Sequence, residues 1–271
     1  MARSRRYASR RRSCSAAGWG LAFEENFRSL RLSDNASDGI WEPQFAWGSH
    51  TIRENHELQY YVDPRPRRDE PVITSLAPFR VDKNGLVIRA SPIPIPERKF
   101  VENLSYASGL LTTFRSYSFT YGYVEMRARI PKGKGLWPGF WLLPVDKTWP
   151  PEIDVMEVLG QNTLEFHATV HSRDNGNHRE VSSTIPTPDL SEDFHIYAVK
   201  WTADEIVWYF DGRPVASAPT PADVHKPMYL LVNLALGGWA QSPDSSTVFP
   251  AEFRINWIRV FQAPRRGAAA P

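Results

Sequence analysis

Three carboxylic acids lie within six residues of an otherwise apolar stretch, at Glu152, Asp154 and Glu157. The residues between them are Ile, Val and Met, which suit a buried β-strand. In a strand, side chains alternate between two faces, so Glu152 and Asp154 share a face and simple counting turns Glu157 into the core. Carboxyl groups held together in an apolar setting can divide the roles of acid and of base or nucleophile, because their environments separate their pKa values.

An unpaired buried glutamate would cost several kcal/mol, which argues against regular alternation through this stretch. One extra residue in the strand, a β-bulge, would return Glu157 to the face that carries the other two acids, and strands use bulges to re-aim side chains beside active sites. We therefore predict a bulge at Val155 or Met156 that places the three acids on one surface.

The next segment, residues 164–171, alternates apolar and polar side chains and is typical of a half-buried strand. Folded back as a hairpin, it sets Glu152 opposite His171 and Asp154 opposite Thr169. Beyond the bulge the register shifts by one residue, so that Glu157 lies opposite His167. The predicted pairing gathers three acids and two histidines in one patch.

These residues resemble the signature of the glycoside hydrolase family 16 enzymes, which reads Glu-x-Asp-x-x-Glu or one residue shorter. Four other segments are similar to conserved parts of that family, so the likeness covers about residues 23–262. They are NHELQYY at 55–61, WPGFWLLP at 137–144, FDG at 210–212 and NLALGGW at 233–239. The resemblance implies a jelly-roll sandwich of two curved antiparallel sheets, with a substrate cleft across the concave sheet.

The resemblance also implies roles for the acids. Glu152 corresponds to the nucleophile of a retaining glycosidase and Glu157 to its acid/base, a pair that such enzymes hold about 5–5.5 Å apart. Asp154 would orient Glu152, and its charge would help to keep Glu157 protonated. His171 is expected to polarise the acids, although a packed histidine satisfied by backbone groups is an alternative.

Substrate contacts are expected from aromatic rings, which stack on sugars, and from amides. Trp137 and Trp239 lie in Gly- or Pro-rich segments that resemble sugar-binding loops, and Trp141 fits a core position equally well. The remaining candidate contacts are Asn55, Glu57 and Asn233.

The predicted reaction is retaining endo-hydrolysis of β-1,3- or mixed β-1,3-1,4-glucan. The longer spacing of the acids resembles laminarinase-like members, and residues 136–144 and 150–171 hold no Lys or Arg that would bind a sulfated galactan. Hydrolysis or transglycosylation of another polysaccharide, such as a galactan or a bacterial exopolysaccharide, is the alternative. A glucan-binding lectin on the same fold is a third hypothesis, but such lectins lose the glutamates.

The resemblance implies no cofactor, although the family often binds a structural calcium through an early acid and a late Asp. Glu24 or Glu25 suits the first position, but Asn256 stands where the Asp is usual. A neutral amide weakens a site for a hard cation, so metal binding is not expected.

Composition excludes several classes of protein. Lys and Arg total 32 against 30 Asp and Glu, a net charge of +2 that does not suggest a nucleic-acid partner. Cys14 is the only cysteine, and no apolar run approaches the roughly 20 residues of a membrane span. Residues 7–20 lack the apolar core of a secretion signal, whereas the resemblance implies an extracellular enzyme. We expect a monomer.

The elements that must position these residues are short strands. Residues 121–130 alternate as a strand, and Asp211-Gly212 is typical of a two-residue hairpin turn between 206–210 and 213–216, with Pro214 at an edge. No sustained helical periodicity is present, which favours an all-β sandwich. We predict a basic disordered arm at 1–20, one catalytic domain at 21–263 and a frayed tail at 264–271.

Overall fold

The computed structural model of the chain describes residues 18–33, 39–65, 76–174 and 176–264, and in these the chain is almost entirely β-structure. Short 3-10 helices occur at Arg53–Asn55, Ile95–Phe100, Ala222–Val224 and Gly238–Ala240. The 17 strands of the described residues are β1 Gly20–Glu25, β2 Gln59–Tyr61, β3 Phe79–Asp82, β4 Gly85–Pro92, β5 Tyr106–Ser108, β6 Leu110–Thr112, β7 Ser118–Phe119, β8 Gly122–Arg129, β9 Leu136–Pro144, β10 Glu152–Glu157, β11 Glu165–Asp174, β12 Asn177–Pro186, β13 His195–Trp201, β14 Glu205–Phe210, β15 Arg213–Pro219, β16 Met228–Leu236 and β17 Ala251–Gln262.

The strands form two sheets. In the larger sheet the order is β15-β14-β13-β8-β17-β4-β5-β2, with β1 on β17 and β3 on β4. In the smaller sheet the order is β12-β11-β10-β9-β16-β6, with β7 also on β16. Among these strands all pairings are antiparallel except that of β2 with β5, which is parallel. The predicted all-β jelly-roll sandwich is confirmed, with this one parallel pairing as a departure from a purely antiparallel arrangement.

The main core lies between the two sheets. Strands β9, β10, β11 and β16 each contribute their inner-face residues, among them Phe140, Ile153, Phe166 and Leu230, all fully buried. The other face of the same strands carries Trp141, Asp154, Thr169 and Asn233. Because the inner face is filled with apolar side chains, the polar groups of these strands must point to the outer face, where the site forms.

The hairpin of β14 and β15 has the predicted turn. Asp211 and Gly212 both have positive φ, at 47° and 79°, as a type I′ turn requires. Pro214 lies on β15, which ends the larger sheet, so its missing N–H removes no bond within a central ladder.

Most of the predicted N-terminal arm and of the predicted tail lies at 1–17 and 265–271, outside the described residues. Strand β1 begins at Gly20, the last residue of the predicted arm, and pairs there with Gln262. Lys200 Nζ lies 5.5 Å from the centre of the Trp19 ring, so the end of that arm contacts the sandwich. None of the helices among the described residues has the length and apolar character needed to cross a membrane.

Candidate active site

The bulge occurs where the sequence places it. Strand β10 pairs with β11 through Glu152 opposite His171 and Asp154 opposite Thr169, then shifts so that Glu157 lies opposite His167. The pairing with β9 shifts between Asp154 and Met156, which identifies Val155 as the extra residue. Val155 and Met156 are both fully buried. The predicted bulge and hairpin register are confirmed, and they put all three acids on the outer face.

A tryptophan of the opposite sheet anchors the bulge. Trp208 of β14 donates its indole N–H across the core to the Asp154 carbonyl oxygen at 2.8 Å. A bulge disrupts the regular ladder, so a donor from outside the sheet helps to hold this stretch of backbone.

Replacing Trp208 with Phe should therefore destabilise the protein by about 1–2 kcal/mol more than the matched change Trp201→Phe. Both tryptophans are buried, but the Trp201 indole N–H has no hydrogen-bond partner among the described residues, so its removal costs packing alone. Urea unfolding of the two variants measures the difference. Equal losses would show that the Trp208 hydrogen bond does not support the bulge.

Each glutamate accepts a hydrogen bond from a cleft tryptophan. Trp149 Nε1 donates to Glu152 Oε2 at 2.7 Å, and Trp137 Nε1 donates to Glu157 Oε1 at 2.9 Å. Both glutamates are half-buried, while Asp154 between them is 2% exposed. The two indole donors hold the carboxyl groups in fixed orientations in the cleft.

Burial and mutual repulsion keep protons on the acid cluster. The pKa of Glu157 is raised to about 8, mainly by burial and to a smaller extent by repulsion from Glu152. The pKa values of Glu152 and Asp154 are also raised well above their usual range, mainly by burial and then by the neighbouring acids. The contact between these two side chains acts to raise the pKa of Glu152 further and to lower that of Asp154. A pKa of about 8 keeps Glu157 mainly protonated at neutral pH, beside two acids whose pKa values are also raised.

The two histidines differ in their surroundings. His171 Nε2 lies 3.2 Å from Asp154 Oδ2, and its Nδ1 lies 3.0 Å from His178 Nε2. Both ring nitrogens of His171 therefore face side chains rather than backbone groups. His167 Nδ1 contacts the Thr184 hydroxyl at 3.1 Å, and burial lowers the pKa of His167, so its ring is neutral near pH 7.

The acids lie in a cleft of about 840 Å³ on the outer face of the smaller sheet. Trp239 is 48% exposed and contacts both the Trp137 ring, at 6.0 Å between centres, and the His167 ring, at 4.5 Å. Trp137 and Trp239 therefore form an aromatic wall next to Glu157, as a stacking surface for sugar rings requires.

Trp141 and Asn233 form the floor of the cleft, and their polar atoms are already satisfied. Trp141 is 9% exposed and donates its indole N–H to Asn233 Oδ1 at 2.8 Å. The Asn233 amide nitrogen donates in turn to the Tyr61 hydroxyl at 2.9 Å. This buried network shapes the floor, and what remains for substrate is the small exposed edge of each side chain.

The loop around residues 52–59 brings both Asn55 and Glu57 to the cleft, with Asn55 exposed and Glu57 largely buried. Glu57 is 7% exposed, and its Oε2 accepts hydrogen bonds from the Ile52 backbone N–H and from Gln59 Nε2. Burial raises the pKa of Glu57 to about 7. Its side chain supports the turn that carries the exposed Asn55 and also lines the cleft, so a substrate contact at Glu57 stays a prediction. The sequence pattern alone does not show that Asn55 is exposed and Glu57 largely buried.

Two exposed tryptophans of the cleft were not predicted. Trp149 is 53% exposed and Trp47 is 50% exposed, and both line the cleft. Trp47 stacks on Phe45, with 4.4 Å between ring centres. Trp149 lies three residues before Glu152, and this short separation in sequence would have suggested that Trp149 lies in the cleft. Trp47 is more than one hundred residues from the acids, and the sequence holds no comparable signal for it.

The residues considered for calcium bind other protein groups. Both Glu25 carboxylate oxygens accept bonds, from the Phe27 backbone N–H and the Trp41 indole, and Glu24 pairs with Arg259. Asn256 accepts a bond from Arg127. A guanidinium at that position is incompatible with an adjacent Ca²⁺. As they are arranged, these side chains do not fit a calcium site.

Comparison with known proteins agrees with this geometry. The family model for glycosyl hydrolases family 16 matches residues 80–259. The chain is 43% identical to the endo-1,3-1,4-beta-glycanase EglC of Rhizobium meliloti, over 88% of this chain and 51% of the relative, so it spans about half the length of that protein. It is 32% identical to a beta-glucanase of Rhodothermus marinus, over 93% of this chain and 88% of the relative. The laminarinase catalytic domain of Thermotoga maritima has a similar structure, with a TM-score of 0.73 and 31% identity over 90% of this chain and 98% of that domain.

Proposed function

The chain belongs to glycoside hydrolase family 16, and from that premise we propose that it hydrolyses β-1,3- or mixed β-1,3-1,4-glucan internally, with retention of anomeric configuration. One observation carries the proposal. A single bulged strand presents Glu152 and Glu157 on the same face, each oriented by its own indole donor. That arrangement supplies the two carboxyl groups that a double displacement needs.

In the first step, Glu152 is the nucleophile. A carboxylate oxygen of Glu152 attacks the anomeric carbon, the glycosidic C–O bond breaks, and the proton of Glu157 moves to the leaving oxygen. Asp154 supports this step by contacting and orienting the Glu152 side chain on the same face of the strand. The raised pKa of Glu157, about 8, keeps the acid protonated near neutral pH.

In the second step, the glycosyl ester on Glu152 is hydrolysed. Glu157, now ionised, removes a proton from a water molecule, whose oxygen attacks the anomeric carbon and releases Glu152. The product keeps the original configuration because two inversions occur in sequence. Both steps use only protein carboxyl groups and water, which supports the proposal that no cofactor is needed.

The cleft supports an endo-acting enzyme on a neutral glucan. Half-exposed tryptophans stand at Trp47, Trp149 and Trp239, so stacking surfaces are spread along an open cleft rather than collected in one closed pocket. A chain of neutral sugars binds through such surfaces and through amides such as that of Asn55. The names of the relatives, a 1,3-1,4-beta-glycanase and a laminarinase, support the same substrate class.

Charge weighs against a sulfated galactan. Among the described residues that line the cleft, Lys147 is the only Lys or Arg, and its Nζ donates to the Ala46 carbonyl oxygen. Sulfate groups would call for several cations in suitable geometry. A lectin is disfavoured because both glutamates are present and hydrogen-bonded in place.

Product analysis on a panel of polysaccharides tests the proposed substrate. Laminarin or lichenan, incubated with the enzyme, should yield a ladder of oligosaccharides, whereas agarose and carrageenan should stay intact. The inactive variant Glu152→Ala serves as the control for contaminating glycosidases. Cleavage of agarose or carrageenan with laminarin and lichenan untouched would refute the glucanase assignment while leaving the catalytic residues in place.

Two further proposals concern the setting of the reaction. We propose that the enzyme acts outside the cell, because its substrate is a polymer, and that it acts as a monomer, because one chain supplies both catalytic carboxyl groups and the tryptophans that flank them in the cleft.

A further inference from the structure

The hairpin of β11 and β12 carries three potential metal ligands on one face, beside the acid cluster. His171 lies directly opposite Glu180, and His178 lies two residues before Glu180 on the same strand. Side chains two apart on a strand share a face, so all three point the same way. Their ligand atoms all lie within 4.8 Å of one another.

The distances suit a transition-metal ion. His171 Nδ1 is 3.0 Å from His178 Nε2 and 3.6 Å from Glu180 Oε2. Tetrahedral Zn²⁺, with bonds of about 2.0–2.1 Å to nitrogen and oxygen, separates its ligand atoms by about 3.3 Å. Small side-chain rotations would satisfy that geometry, and the exposed His178 and Glu180 leave room for a water molecule as the fourth ligand.

The surroundings of His171 match those of a metal-bound histidine. Its second nitrogen, Nε2, faces the Asp154 carboxylate at 3.2 Å. A carboxylate that accepts a hydrogen bond from the second nitrogen orients a ligating imidazole and strengthens its bond to the metal, and Asp154 Oδ2 has no other hydrogen-bond partner among the described residues. The Trp149 ring covers one side of the pair, with its centre 5.0 Å from the His178 ring and 6.2 Å from the His171 ring.

We propose that His171, His178 and Glu180 bind one divalent transition-metal ion, with Zn²⁺ as the best match, at the edge of the cleft. Two imidazoles and one carboxylate select Zn²⁺ over Mg²⁺ and Ca²⁺, which prefer oxygen ligands. The site is distinct from the Glu152 and Asp154 carboxylates, which lie on the other side of the His171 ring.

The ion should also inhibit hydrolysis, a consequence that rests on the proposed function. A dication on His171 and Glu180 lies beside the carboxylate cluster, where the transition state develops positive charge on the sugar ring, and like charges repel. It also occupies Glu180, which lines the cleft. Zn²⁺ should therefore inhibit reversibly, and EDTA should restore activity.

Calorimetric titration of untagged, EDTA-treated protein tests the site without reference to activity. Wild-type protein should bind one Zn²⁺ per chain with a micromolar Kd, and neither Mg²⁺ nor Ca²⁺ should compete. His178→Gln and Glu180→Gln should each weaken binding about tenfold or more, since each removes one of three ligands. The matched control His195→Gln, which removes a histidine on β13 of the other sheet, should bind as wild type.

Unchanged Zn²⁺ affinity in both His178→Gln and Glu180→Gln would overturn the site. So would binding that depends on Glu152 but not on His178, because the ion would then lie in the carboxylate cluster. Activity assays separate the consequence from the site. In EDTA, His178→Gln should keep kcat/KM within about twofold of wild type, and it should resist Zn²⁺ concentrations that inhibit wild type. Metal binding without inhibition would overturn only the inhibitory role, and inactivity of metal-free wild type would count against the proposed function instead.

Discussion

Replacing Glu152 with Ala is expected to lower kcat on laminarin by about 10⁴-fold or more, because the change removes the carboxylate that we propose forms the glycosyl ester. Added azide should restore turnover of an aryl β-glucoside substrate with a good leaving group. The small anion enters the space left by the carboxylate and attacks the face that Glu152 occupied. The product should be an α-glycosyl azide, which proton NMR identifies from its anomeric coupling.

The matched control for this change is Glu205→Ala, which removes an exposed glutamate from the start of β14 on the other sheet. It should retain wild-type activity and show no response to azide. A β-glycosyl azide from Glu152→Ala would contradict the assignment and make Glu157 the nucleophile. An unaltered kcat would remove Glu152 from the reaction altogether.

Replacing Glu157 with Ala should lower kcat/KM on laminarin by about 10²–10⁴-fold, the usual contribution of a general acid. Substrates with a good leaving group need little protonation, so they should still form the glycosyl ester. Azide should then attack that ester and give a β-glycosyl azide, the opposite outcome from Glu152→Ala. An α-glycosyl azide from Glu157→Ala would reverse the two assignments.

The pH dependence of kcat/KM tests the role and the raised pKa of Glu157 independently. Its pKa is raised to about 8, so the acid is about 90% protonated at pH 7 and loses its proton as the pH rises through 8. Wild-type kcat/KM on laminarin should therefore fall on the alkaline side with an apparent pKa near 8. With an activated aryl substrate, Glu157→Ala should lack that alkaline limb. A limb that persists in the variant would belong to another group.

The fold class and the catalytic strand could be predicted from sequence because the information is local. Alternation with a period of two indicates strands, and the cost of burying a charged Glu157 leaves a bulge as the low-energy solution. Once Val155 or Met156 is the extra residue, the hairpin register follows by counting, and the pairing of Glu152 with His171 confirms it. The Asp-Gly turn at 211–212 was equally predictable, since its positive φ values are demanded by the twist of the strands.

Sequence could not separate residues that face the substrate from residues that support them. Glu57 and Asn55 are two positions apart, yet one is buried in its own turn and the other is exposed. Trp141 suits both a core and a cleft position, and its hydrogen bond to Asn233 makes it part of the floor. Burial depends on what packs above a side chain, and the covering residues come from distant parts of the chain.

Contacts between elements far apart in sequence were decided by the tertiary structure alone. Trp208 reaches the Asp154 carbonyl from the other sheet, Trp47 joins the cleft from an early loop, and His178 meets His171 across a hairpin that the sequence pattern did not reveal. Periodicity records which face of its own strand a side chain occupies. It does not predict which distant residue contacts that side chain, because the contact depends on the twist and stacking of two complete sheets.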